Sequence, residues 1–382
     1  MPAQEDFFAD IKEWSRRKLI ITQKYLGGFS RILGSAFKGP KYYIDGFAGR
    51  GLYDDGEKGS PVLASELAER LRTEGKLYRL HCINVEKDPE NYQNLEAATR
   101  NFGGIVRNII GTFGDNIEEI LDLISNAPAF FFLDAFGVKG TDWEAVEKAV
   151  ARKYPTDLWI RFDHRTVLRL AGFGDSIAKE APRKLSLLPQ IFGIEDLHYI
   201  RTRIDGPSPE ARVRNAVSLY LEQIENAYQG AGKNGFAAAY PIVSLDGQRK
   251  YHLVFACSHP KAATLASNIV NGEEETFQIE AANYKEMRTK QMSFFPIGIT
   301  REEIFNEKVD RLKFDIYSSF RGKTIEREEL HYELMCLDKG WFGRIGRRHF
   351  TQALKDLLNE TPPKILTDGS PGDDKAKITV LL

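Results

Sequence analysis

The chain has 382 residues, enough for two domains or one domain with an appendage. Hydrophobic residues make up 42% and charged residues 28%, an ordinary core-forming balance, and a net charge of −1 excludes a global field that would draw nucleic acid or a membrane. No apolar run approaches the roughly 18 residues of a membrane span, and "MPAQEDFFADIKEWSRRK" is no leader, so a soluble cytoplasmic protein with no membrane partner is expected.

Residues 4 to 36 read as two helices ahead of the main domain, which gives an N-terminal segment over 1–40. From residue 42 to residue 162 two hydrophobic periods alternate. The strand-like runs are "KYYID", "YRLHCINVE", "GIVRNII", "AFFFLD" and "DLWIRF". The helix-like runs between them are "PVLASELAERLRTE", "DPENYQNLEAATRN", "DNIEEILDLISN" and "DWEAVEKAVARK". Pro61 after Ser60, Asp88 before Pro89, and Asp115 mark helix starts. Apolar strands separated by helices predict an α/β fold with a doubly wound, mostly parallel, Rossmann-like sheet. "AFFFLD" is apolar throughout, as a central strand covered on both faces should be.

Residues 163–239 lose the alternation and read as a helical insertion. "YPIVSLDGQRKYHLVFAC" then predicts a late antiparallel hairpin about Asp246-Gly247, with a helix from about Lys261 to Ile269, so the main domain runs over 41–290. Over 300–382, "IEREELHYELMCLD" and "GRRHFTQALKDLLNE" read as helices, and "PKILTD" and "AKITVLL" as strands around "GSPGDDK". That order predicts a small winged-helix-like domain. Cys82, Cys257 and Cys336 never take C-x-x-C spacing and the histidines show no ligand spacing, so neither disulfide nor metal is expected.

Ligands of a doubly wound sheet bind beyond the carboxyl ends of its strands. One rim therefore collects the candidate residues. "DGFAGRG" ends the first strand, and its glycines are not in G-x-G-x-x-G spacing, which disfavours a dinucleotide cofactor. The stretch fits D-x-F-x-G-x-G, the first S-adenosylmethionine (SAM) motif of many methyltransferases. Gly46, Gly49 and Gly51 would admit the cofactor beside Phe47, and Asp45 would engage its amino group, directly or through water. The plain alternative is a glycine-rich turn that binds nothing. Glu86 can accept ribose hydroxyls or be an exposed acid at a strand end. Asp115 can accept from an adenine amino group, or cap the next helix, or both.

Asp134 and Phe136 in "FFFLDAFG" hold the acceptor-side positions, an acid to take a hydrogen bond from the methyl acceptor and an aromatic to stack on it. No cysteine nucleophile is present there. The alternative is a rim acid closing a buried strand. Asp163, His164 and Arg165 either line the acceptor side, with His164 as a base, or form a polar strand-to-helix junction. Arg344, Arg347 and Arg348 begin the presumptive recognition helix and either neutralise nucleic-acid phosphates or form a solvated face. Trp341 and Phe342 beside them fit core packing better than base stacking.

With these residues in view, the chain resembles the three-Cys-motif partner protein (TcmP) family. The resemblance rests on "TQKYLGGFSRIL", "YIDGFAGRG…GSP", "FFFLDAFG" and "YHLVFACSHP", which follow in the family's order over most of residues 15–270. It implies a class I methyltransferase-like fold, SAM as cofactor, and a radical-SAM-like partner protein, whose cysteines give the family its name. Two positions depart from the family pattern. Arg50 replaces the proline of FAGPG, which bears on loop rigidity, and Ala135 replaces the proline of DPFG, which touches the acceptor site. Two functions stand open: a SAM-dependent methyltransferase, or a non-catalytic adaptor that engages nucleic acid or a partner protein.

Overall fold

A computed structural model describes residues 12–75, 79–137, 142–172, 187–289 and 300–382. Residue contacts divide the chain into two units, Met1–Ser244 with Arg249–His259, and Leu245–Gln248 with Pro260–Leu382. Among the described residues, no helix is long and apolar enough to cross a membrane.

In the first unit, helix α1 (Glu13–Ala36) precedes strand β1 (Lys41–Asp45). Two helices are expected over residues 4–36; residues 13–36 form one continuous helix, and residues 4–11 lie outside the described residues. There follow α2 (Ser60–Glu74), β2 (Leu80–Glu86), α3 (Pro89–Thr99), β3 (Val106–Ile110), α4 (Phe113–Ile124), β4 (Ala129–Leu133), α5 (Trp143–Ala151) and β5 (Thr156–Phe162). Helices α6 (His164–Leu170), α7 (Leu187–Phe192), α8 (Leu197–Ile204) and α9 (Pro209–Gly230) lead to the hairpin of β6 (Phe236–Val243) and β7 (Arg249–Cys257). The insertion predicted over 163–239 is mainly helical where it is described, but strand β6 already begins at Phe236 within it.

The sheet order is β3-β2-β1-β4-β5-β7-β6. β1 to β5 are parallel to their neighbours, and β7 runs antiparallel to both β5 and β6. This is the predicted α/β architecture: a doubly wound, mostly parallel sheet whose strand order reverses between β1 and β4.

Both faces of β4 are covered, which explains its unbroken apolar run. On one face the Tyr25 ring of α1 packs edge-on against Phe130 at 5.1 Å and Trp159 at 5.9 Å. On the other face Phe113 of α4 meets Phe131 at 6.2 Å. Fully burying each such aromatic is worth about 1.5–3 kcal/mol. α1 therefore contributes to the core of the main sheet.

The second unit opens with the 30-residue helix α10 (Pro260–Thr289), far longer than the stretch expected to close the main domain. Its inner face is tied to the C-terminal elements: Ser267 Oγ accepts from the Gly343 amide at 3.0 Å, and Asn271 donates to the Arg344 carbonyl at 3.1 Å. Helix α11 (Arg301–Phe320) has a Thr300–Glu303 capping box. It is followed by β8 (Thr324–Glu326), α12 (Arg327–Leu337), α13 (Arg347–Asn359), β9 (Ile365–Thr367) and β10 (Lys377–Val380). The strands form a separate antiparallel sheet, β8-β10-β9. Trp341 and Phe342 are buried at 3% exposure each, and the Trp341 indole donates to Asp315 at 3.0 Å. Both are core residues.

Candidate functional site

The turn after β1 is built by its acids. Asp45 is 0% exposed and accepts from the Tyr43 hydroxyl at 3.1 Å, the Phe47 amide at 3.2 Å, and the Ser60 hydroxyl. Ser60 thus reaches back to Asp45, while Gly59 occupies the cap position of α2. Burial lifts the Asp45 carboxyl to about 6 and the nearby Asp134 charge adds to the rise, against the three hydrogen bonds. Every contact shown for Asp45 is internal, so its direct role is to hold the glycine loop.

Glu86 closes that loop from the neighbouring strand. Its Oε2 accepts from the Gly49 amide and its Oε1 from the Asp88 amide, each at 2.8 Å. One carboxylate thereby links the β1 turn to the start of α3. Each of its oxygens retains a lone pair. Gly51 has φ of +84°, a conformation that side chains resist, and a Cβ there would lie 3.0 Å from that of Ala98. A Cβ on Gly46 would come within 2.8 Å of Leu133. The Phe47 ring lies beside Phe113 at 6.4 Å.

Asp115 does not cap α4. Thr112 is the cap, because its shorter side chain sits one residue ahead of the helix and accepts from the Asp115 amide at 3.1 Å. The Asp115 carboxylate takes the Thr112 hydroxyl at 2.6 Å and stays exposed beyond β3. Asp88 is the cap predicted for α3, accepting from Glu90 and Asn91 at 3.0 Å each.

Asp134 leaves β4 into a cluster that the sequence did not announce. Lys18 of α1, 5% exposed, donates to Asp134 Oδ2. Arg161 of β5 approaches Oδ1 at 3.8 Å, which is too long for a hydrogen bond. Burial lowers the Lys18 ammonium pKa, Arg161 adds to that, and Asp134 opposes it. The Arg161 guanidinium carbon lies over two rings, 4.7 Å from the Tyr251 centroid and 5.4 Å from that of Phe136. Phe136 is 76% exposed. Arg17, 6% exposed, bonds the Tyr240 hydroxyl. Tyr53, from the loop after the glycine turn, feels both Asp134 and Asp45, and burial chiefly pushes its phenol up to about 12.

The glycine turn, Glu86, Asp134 and Phe136 therefore share one rim, and Asp45 lies beneath it. Sequence reading missed Arg17, Lys18, Arg161, Tyr53, Tyr240 and Tyr251. One signal was available: Arg161 interrupts the apolar run from Leu158 to Phe162 in β5, which a core position does not require. Lys18 carried none, since helical periodicity does not say what lies against a buried face.

Asp163 is the cap of α6, bonding the Thr166 amide at 3.2 Å and hydroxyl at 2.9 Å, and Arg165 donates to the Arg249 carbonyl. That is the polar junction. His164 is 4% exposed with its ring 4.9 Å from that of His252, and burial pulls it down to about 4, so it is neutral near pH 7. In the second unit Arg347 is engaged by Asp374 at 2.8 Å and the Gly372 carbonyl at 2.7 Å. Arg348 lies over the Phe305 ring at 5.7 Å, and Arg344 is exposed.

No family model and no curated protein matches the chain. Among solved structures it is similar to an O-methyltransferase from Bacillus cereus in complex with SAH (S-adenosylhomocysteine), at 14% identity and a TM-score of 0.33 over 66% of this chain and 83% of that one. It is also similar to the O-methyltransferase TomG from Streptomyces achromogenes in complex with SAM, at 13% identity and a TM-score of 0.32 over 66% and 93%.

Proposed function

We propose that the first unit is a SAM-dependent methyltransferase acting on an oxygen or nitrogen acceptor. The observation that carries this reading is the rim at the sheet's reversal point. There Glu86 pins a glycine turn over β1, and Asp134 stands at the end of the next strand, β4. Fold alone would not suffice, because such sheets host many chemistries.

The residues present fit SAM. The glycine turn lets backbone approach a ligand, Glu86 keeps a lone pair on each oxygen for a ribose diol, and Asp115 is exposed for an amino group. When bound, SAM supplies a methyl group already activated on a sulfonium. Asp45 keeps the turn in place from beneath. Asp134 accepts the hydrogen bond, and then the proton, of the acceptor's O–H or N–H. Lys18 and Arg161 hold that carboxylate in place, and Phe136 covers the acceptor from outside. Most of the rate advantage comes from alignment.

The resemblance to TcmP proteins, with a radical-SAM-like partner, is part of this reading and rests on the sequence blocks that carry it. Ala135 does not remove the acid or the aromatic beside it, which supports retained chemistry.

Calorimetric titration with SAM and SAH tests the cofactor assignment. Micromolar binding is expected in the wild type, with at least a tenfold loss in Glu86→Ala, since about 1.4 kcal/mol suffices for that factor. A well-folded wild type that binds neither ligand sinks the proposal. The second reading would then lead: an adaptor whose β8-α12-α13-β9-β10 unit is a winged helix, with Arg344 and Arg348 exposed at the start of α13 for nucleic acid. A salt-dependent duplex-DNA shift, lost in the double Arg344→Gln and Arg348→Gln variant, would support it.

A further inference from the structure

The helix layer of the first unit holds a cleft that shares no residue with the rim. It lies between α5 and α9 and has a volume of about 410 Å³. Trp143, Glu147 and Ala151 line it from α5, and Gln223, Asn226, Ala227 and Gly230 from α9. Steps of three and four along each helix put these residues on the two facing sides. The small side chains at Ala151, Ala227 and Gly230 leave the space between the helices unfilled. The polar side chains of this surface fall into two sets. Outside the cleft Glu144 pairs with Lys148 at 2.8 Å, Glu222 with Arg203 at 2.5 Å, and Glu225 takes the Ala237 amide at 3.0 Å. Inside it, the side chains of Glu147, Gln223 and Asn226 make no hydrogen bond or ion pair among the described residues. Nor does the Trp143 indole N–H, although Trp143 is only 8% exposed. Tyr220 holds that ring edge-on at 6.1 Å. The Cδ1–Nε1 edge of the ring lies against Gly193, which also lines the cleft, and a Cβ there would come within 2.3 Å of Nε1. Glycine at 193 therefore leaves the N–H edge bordering the cleft rather than covered by a side chain. An indole N–H can only donate, and one so largely buried usually has an acceptor.

We propose that this cleft binds a small organic cation, an amine on an aromatic or apolar body that also carries an acceptor oxygen. The oxygen takes the Trp143 N–H and the ammonium meets Glu147, the one charged side chain among the described lining residues. The body lies over the small residues, and Gln223 and Asn226 offer amide donors and acceptors beside it. An anion would face Glu147 with no lining cation to offset it. The site is independent of the methyltransferase reading, since none of its residues belongs to the rim.

The test is a nuclear magnetic resonance titration of the full chain, labelled with 15N-tryptophan, using tyramine, 4-ethylphenol and 4-hydroxyphenylacetate. These probes share a body and differ in charge. The chain has four tryptophans, so the indole N–H signal missing from Trp143→Phe is the one in the cleft. Tyramine is expected to move that signal to saturation and to bind about tenfold or more tightly than 4-hydroxyphenylacetate, with 4-ethylphenol between them. Glu147→Gln is expected to remove the preference for the amine. Ala227→Leu, which fills the cleft from a half-buried position, is expected to abolish the shift. Urea unfolding of each variant separates a lost site from a lost fold. The proposal is overturned if tyramine leaves the Trp143 signal unmoved, or if the acid or the neutral phenol binds as tightly as the amine. A folded Ala227→Leu that binds tyramine like the wild type overturns it as well. SAM titration of the same wild-type sample keeps the two readings apart. SAM binding without tyramine binding defeats only the cleft, and tyramine binding without SAM binding defeats only the cofactor assignment.

Discussion

Asp134→Ala is expected to cost on the order of 3–5 kcal/mol of unfolding free energy, because it strands the Lys18 ammonium in the interior. Lys18 is 5% exposed, and the Asp134 side chain is 17% exposed, so solvent screens this pair little. Arg161 stands 3.8 Å from the carboxylate and adds a second unbalanced charge once the acid is gone. Adding Lys18→Met to Asp134→Ala should return most of that loss, since an apolar side chain of similar length replaces the uncompensated ion. Methyl transfer, followed with labelled SAM on a validated acceptor, should stay lost in the double variant. Stability returning without turnover would separate the fold's use of Asp134 from its chemical use. An Asp134→Ala chain as stable as the wild type would show that Lys18 finds another partner, and the buried pair would lose its importance.

The contrast between Asp134 and Lys18 shows how far the sequence could be read. Asp134 was legible because an acid at the carboxyl end of an apolar strand has one place to be in a doubly wound sheet. The same rule located the glycine turn and Glu86, while the Asp246-Gly247 turn signal located the late hairpin. Lys18 was not legible because its partner lies 116 positions away, and helical periodicity says which face is buried without saying what lies against it. Tyr25 made α1 part of the core through its contacts with β4 and β5, a pairing no local pattern encodes. Asp45 illustrates a different limit. The motif suggested a ligand contact, but a strand-end acid can turn outward or inward, and here Tyr43, Phe47 and Ser60 draw it inward. The division of the chain followed the same logic. The helix from Pro260 continues through Asn271-Gly272 instead of ending near Ile269, and the side chains of Ser267 and Asn271 decide which unit it serves.

Asp157 offers a large pH-dependent effect on stability. It is 6% exposed in β5 beneath α1 and accepts the Tyr25 hydroxyl at 2.7 Å. Burial raises its carboxyl from the ordinary 3.8 to about 7, against that single hydrogen bond. Its folded pKa lies above its unfolded one, so the folded chain binds the extra proton between those two values. The contribution of Asp157 is therefore most favourable below pH 4 and is lost as the pH rises to about 7, on the order of 4 kcal/mol in all. Asp157→Asn keeps an oxygen for Tyr25 and removes the titration. Its stability relative to the wild type should grow by on the order of 2–3 kcal/mol between pH 5 and pH 8, read from urea unfolding at the two pH values. A difference that stays flat across that interval would mean that water or a cation reaches the acid. The packing of Tyr25 on β4 and β5 would then have to be looser than the ring geometry requires.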